Sequence, residues 1–153
     1  MIMDRSELLS EKQAITATAA STNIIDLSPL GTVYGASTPL IRDVGKGTDV
    51  PLFVGVVQGF NNLTSLAVAI QTDDNAAFAS PTTVATYTYA LADLAAGAKY
   101  MLPDTLPVGT NERYVRLYYT VTGTAPTLGQ ITAGVVMDLS LIHISEPTRR
   151  TPI

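Results

Sequence analysis

Asp73 and Asp74 are neighbouring carboxylates, the residue type that drives glycoside hydrolysis and binds hard cations. Hydrolytic carboxylates must face each other across a cleft, whereas neighbours in a strand or turn point different ways. The plainer reading is a solvated turn that also caps Asn75–Phe78. Asp43 and Asp49 add further oxygens, but no spaced acidic loop of the EF-hand kind is present. His143 is the sole histidine, so neither a Ser–His–Asp triad in the body of the chain nor a multi-histidine metal site can be assembled. The absence of cysteine removes disulfides, thiolate metal sites and thiol catalysis. Asp43-Val44-Gly45-Lys46-Gly47 has the residue types of a phosphate loop without the Walker spacing, and a flexible loop is the better reading. Asn62-Leu63-Thr64 matches a glycosylation sequon but reads as part of a hairpin turn. The expectation is therefore no enzyme, no cofactor and no metal.

What remains is contact chemistry. Arg113–Asp138 reads as two strands joined by a Gly/Pro/Thr loop, a hairpin. Val115, Leu117, Tyr119 and Val121 alternate with Tyr114, Arg116, Tyr118 and Thr120, so one face is apolar and the other carries tyrosines and an arginine. Tyrosine and arginine are enriched at interface hot spots. Tyr114, Arg116 and Tyr118 are candidate partner-binding residues, with Tyr34 and Phe60 in loops and Leu8 and Leu9 near the N-terminus. The competing reading is that the tyrosines pack in the core with their hydroxyls at its rim.

Composition points the same way. Charged residues make up 14% of the chain, against about 25% in an ordinary soluble domain. Either the polar surface is thin, or part of the surface is hidden against a partner, since obligate interfaces are more apolar than free surface. The net charge is −4 and the nine basic residues are scattered, which argues against direct nucleic-acid binding. Met1–Ser10 carries Asp4, Arg5 and Glu7 and lacks a secretory apolar run, and nowhere do about 20 apolar residues follow one another as a membrane span requires. Synthesis in a cytoplasm is expected.

These residues must be positioned by short strands. Residues 1–13 read as an N-terminal arm, extended or with a single helical turn. Residues 14–27 read as a strand broken near Ser21–Asn23, and 28–49, dense in proline and glycine, as a long irregular loop. Strands follow at 50–58, 64–72, 82–90 and 98–102, with a hairpin turn at 59–62, before the Arg113–Asp138 pair. Seven or eight strands without an amphipathic helix predict one all-β domain over 14–139, a jelly-roll-like sandwich. An immunoglobulin-like sandwich is the second choice, weakened by the lack of tryptophan. Residues 140–153 break the pattern and look like a translated sequencing adapter, so the natural chain is expected to end near Asp138–Leu139.

Three segments carry a family resemblance: MIMDRSELLSEKQAITATAASTNIIDL, TSLAVAIQTDDNAAFASP, and YALADLAAGAKYMLPDTLPVGTNERYVRLYYTVTGTAPTLGQITAGVVMD. In order and spacing they resemble the Bbp16 family of tailed-phage capsid cement proteins, over residues 1 to about 138. The 28–49 loop carries little of the likeness, and the tail from Ser140 departs from it. The resemblance implies a structural protein on the outer surface of a virion head. It would bind the HK97-type major capsid protein and self-associate as a homodimer or trimer. The alternative is a carbohydrate-binding, lectin-like jelly roll, which the missing tryptophan disfavours.

Overall fold

The computed structural model describes residues 3–97 and 104–137. Among the described residues, eight strands form two antiparallel sheets: β1 (Met3–Ala14), β2 (Ala19–Ala20), β3 (Ile25–Asp26), β4 (Leu52–Gln58), β5 (Leu63–Asp73), β6 (Thr82–Ala90), β7 (Tyr114–Gly123) and β8 (Gln130–Val136). One sheet has the order β1-β8-β4; the other has β2-β7-β5-β6, with β3 also on β7. A one-turn 3₁₀ helix, Leu91–Asp93, follows β6. This is the all-β sandwich that the alternation predicts.

The core lies between the sheets. Leu9, Val54, Val56, Ile131 and Ala133 come from one side, and Leu66, Val68, Ile70, Val115, Leu117 and Tyr119 from the other. The split of β7 into an inward Val115-Leu117-Tyr119 row and an outward Tyr114-Arg116-Tyr118 row is as the period of two requires. Val121, the fourth member of the apolar row, packs half-buried against the core edge.

Three expectations need correction. Residues 3–13 are not an arm: they belong to β1, paired along β8 from Met3↔Val136 to Ala14↔Gln130. The period of two breaks down there: Leu9 and its neighbour Ser10 are both fully buried while Leu8 is half-buried, and the pairing with β8 shifts register between Leu8 and Ser10. Arg113–Asp138 is not a hairpin, since β7 pairs with β5, β2 and β3 and β8 pairs with β1 and β4. The intervening loop crosses from one sheet to the other. The 59–62 turn likewise links β4 to β5 across the sandwich rather than within a ladder. Each strand has one apolar face, and two such strands can satisfy it by facing each other across a gap of roughly 10 Å as well as by pairing edge to edge.

Those two crossings brace one another. Asn61 accepts from the backbone N–H groups of Thr127 and Leu128 and donates to the Thr127 hydroxyl. The Phe60 ring packs on Gly129, and its backbone N–H donates to the Leu94 carbonyl. The break expected near Ser21–Asn23 is present. The Ser21 N–H still donates to the Leu117 carbonyl, but the Asn23 N–H reaches Leu9 in the opposite sheet. The strand expected at 98–102 and the tail 140–153 lie outside the described residues.

Candidate functional site

Two surfaces were expected to make contacts, and the structure treats them differently. On the outer face of β7, Arg116 is held in place. Its Nε donates to Gln71 Oε1 at 2.9 Å, and its guanidinium lies 4.2 Å from the centre of the Phe78 ring and 5.3 Å from that of Tyr118. Phe78 is the buried residue of the otherwise exposed 74–81 connection, and it carries that connection onto this face through its contact with Arg116. Tyr114 lies under the Arg113 guanidinium at 4.8 Å. Tyr114, Arg116 and Tyr118 are all half-buried, so this patch is a packed polar surface rather than a bare one.

The carboxylates of that connection do structural work. Asp73 is buried and accepts from the backbone N–H groups of Asn75 and Ser80 at 2.9 and 2.8 Å, while Asp74 is exposed. The two point apart. Asp43 similarly accepts from the N–H groups of Gly45 and Gly109, which draws the 43–45 segment onto the 107–110 loop. The Gly45 N–H that a phosphate would need is thereby taken by a carboxylate, and the segment expected to be flexible is tied down. Among the described residues, no group of three or more acidic or histidine side chains is placed to share a metal.

Phe60 and Leu9 leave the contact set. Both are buried in the core, Leu9 completely. Leu8 is half-buried and lines an open groove between β1 and the 22–24 segment, with Arg5, Ser6, Glu11, Asn23 and Ile24.

Tyr34 is the sequence candidate that is fully in solvent, and it has company. Residues 29–41 form a finger on which Tyr34 and Ile41 are 103% and 97% exposed, and Val33 and Leu40 54% each. The finger has internal structure: the Leu40 N–H donates to the Gly31 carbonyl and the Ala36 N–H to that of Val33, both at 2.9 Å. Its two ends are clamped together. Arg42 Nη1 donates to the Leu27 carbonyl at 2.5 Å and Nη2 to that of Ser28 at 3.0 Å. Such a closed loop with adjacent ends is an Ω-type arrangement, a frequent carrier of binding function.

A second pair secures the entry to the finger. Arg113 grips Asp26 with two bonds of 2.8 Å, and the Asp26 carboxylate also accepts from the Ser28 N–H. Ser28 takes a φ of 71°, the left-handed turn that this Asx bond supports. A cleft of about 260 Å³ lies at the base, lined by Arg42, Arg113, Asp74 and Asn111 among others. The hydrogen bonds from Arg113, and then that from Ser28, hold the Asp26 carboxyl down at about 2.

A depressed carboxylate pKa contributes stability above its unfolded value of about 3.9 and loses it as pH falls through the folded value. Wild-type protein is therefore expected to lose more melting temperature between about pH 4 and pH 2 than Asp26→Asn does. Thermal melts across that window check it. The difference should be small, because the pair is exposed to solvent.

Asp26, Arg42 and Arg113 are invisible as a set in the sequence, since Asp26 and Arg113 stand 87 residues apart. Ile41, Leu40 and Val33 did carry a signal: apolar residues crowded into a loop rich in proline and glycine, with no periodicity to bury them.

No curated protein matches the chain. A sequence profile of one family does, over residues 9–135, from the core leucine of β1 into β8. With most of its length so matched, the chain belongs to the Bbp16 family, whose name points to a phage protein.

Proposed function

We propose that this chain is a capsid cement protein of a tailed phage, acting as a structural protein and not as an enzyme. In this reading it sits on the outer surface of the virion head, bound to an HK97-type major capsid protein, and the 29–41 finger makes the contact. The observation that carries the reading is the exposed apolar finger itself, clamped at its base by Arg42. Membership of the Bbp16 family supports the phage setting.

The physics suits the role. A tyrosine, an isoleucine, a leucine and a valine held in water represent unspent hydrophobic free energy of roughly 1.5–3 kcal/mol per side chain fully buried. Clamping the base in advance lowers the ordering cost on docking. Modest affinity per site suffices when many copies act on one shell and each bridges a joint between capsomers. The scattered basic residues and the low charge fit a protein partner better than packaged DNA.

The test uses heads assembled without the protein. Wild-type chain added back is expected to cosediment with them and to raise the temperature at which DNA is released. Tyr34→Ser/Ile41→Ser is expected to bind at least about tenfold more weakly, since about 1.4 kcal/mol is lost per factor of ten. Its melting temperature should stay unchanged, because both side chains are exposed. Equal binding of the variant would remove the finger from the contact. Heads that neither bind wild-type protein nor gain DNA retention from it would sink the cement function.

A further inference from the structure

We propose that the cleft at the base of the 29–41 finger is a receptor for an acidic side chain, carried by the protein surface on which the finger docks. The identity of that partner rests on the cement reading, which the proposal deepens by naming what the partner must present beside the finger.

The cleft, of about 260 Å³, has the space of a long side chain rather than of a folded segment. Its polar lining is rich in donors that the fold leaves unused. Arg113 spends Nε and Nη2 on Asp26, and its Nη1 has no hydrogen-bond partner among the described residues. Arg42 spends Nη1 and Nη2 on the carbonyls of Leu27 and Ser28, one bond each, so each keeps a second N–H. Asn111 also lines the cleft; its side chain is exposed and makes no hydrogen bond among the described residues.

The charges are unbalanced in the same sense. The Asp26 carboxylate is already gripped by the Arg113 fork. Among the described residues, no carboxylate stands within ion-pairing distance of Arg42, whose partners are neutral carbonyls. Its Nε is buried without any partner, a desolvation cost that the fold leaves uncompensated. Glu112, next to Asn111 in sequence, is engaged by the Thr72 hydroxyl. That leaves exposed Asp74 as the opposing charge in the lining, and it pairs with neither arginine.

A carboxylate is the anion that such guanidinium donors fit best, through short charge-assisted bonds. The other wall says what carries it. Pro29, Leu30 and Pro39 offer apolar surface, on which the methylene stem of an acidic side chain can lie. An inorganic phosphate would leave that wall unused and would bring up to two negative charges past Asp74. Finger and cleft then divide the work: apolar burial supplies affinity, and the charged contact supplies register and selectivity.

A titration of the full chain tests the receptor without any partner protein. The probe is N-acetyl-glutamate α-amide, with N-acetyl-glutamine α-amide as its neutral isostere. The glutamate compound is expected to shift the Nε–H magnetic resonance signals of Arg42 and Arg113 saturably, and the glutamine compound is not. Asn111→Asp should weaken binding at least fivefold. Asp74→Asn should strengthen it about threefold, a gain that no folding defect can imitate. Both side chains are exposed, so the melting temperatures should match wild type. Raising salt from about 0.1 M to 1 M shortens the screening length from about 10 Å to 3 Å and should weaken binding further.

No shift from the glutamate compound, or equal shifts from both compounds, would overturn the receptor. So would loss of binding in Asp74→Asn. Tighter binding of inorganic phosphate would overturn the assignment to an acidic side chain. Head binding by the same variants separates this proposal from the one before it. Heads that take up wild type, Asn111→Asp and Asp74→Asn equally would remove the partner's acid from the cleft and leave the cement function standing. Heads that bind none of them, while the glutamate compound still shifts both arginines, would remove the cement function and leave the carboxylate site.

Discussion

Tyr119→Ala is expected to lower the free energy of unfolding by about 3–5 kcal/mol, a large part of the 5–15 kcal/mol typical of a domain. Tyr119 is completely buried on β7, in the middle of the sandwich. Its hydroxyl lies 2.8 Å from that of Ser10 on β1, so the side chain spans from one sheet to the other. Ser10 donates its proton to Gln13 Oε1, which leaves the Tyr119 hydroxyl as donor to Ser10. Gln13 in turn donates to the Ala20 carbonyl and accepts from the Thr22 N–H. Burial pushes the Tyr119 phenol well above its ordinary range, with the Ser10 bond a smaller opposing influence, so the hydroxyl stays a neutral donor. Truncation would open a cavity and cut this chain of bonds at its buried end. Tyr119→Phe keeps the ring and leaves Ser10 its bond to Gln13, so its cost should be only about 0.5–1.5 kcal/mol. Chemical denaturation of both variants separates packing from hydrogen bonding. Equal, small losses would mean that the cavity collapses at little cost.

Gly129→Ala should cost about 2–4 kcal/mol for a single added methyl group. Gly129 has a φ of 140°, a conformation strained for any other residue. A Cβ placed there would stand 2.4 Å from the Phe60 ring, well inside contact distance. The ring cannot swing out freely, since Phe60 is buried and its backbone is tied to Leu94. The Gly129 carbonyl also receives the Ile15 N–H at 3.0 Å, so a shift of the loop would strain the start of the segment after β1. Phe60→Leu in the Gly129→Ala background should recover part of the loss, a coupling that a double-mutant cycle measures. Additive effects would show that backbone strain, and not the ring, sets the cost.

Both variants concern residues whose importance grew once the chain was folded. Phe60 looked like a loop aromatic available to a partner, because Gly59 and Asn61-Asn62 mark a turn and turns lie at the surface. It is core because this turn crosses between sheets instead of closing a hairpin, which sets its ring against the other crossing loop at Gly129.

The alternation of side chains by itself determined the all-β class, most strand positions, and which residues of β7 face inward. Those features depend on local geometry, where a period of two is enough. Membership of a family was also legible, since order and spacing of segments survive without coordinates. Pairing was decided only by the tertiary structure. Whether β7 lies beside β8 or across from it depends on contacts between residues far apart in sequence, and the alternation is the same in both arrangements. The clamp on the finger by Arg42, and the joining of Asp26 to Arg113, follow from that packing and left no pattern in the chain.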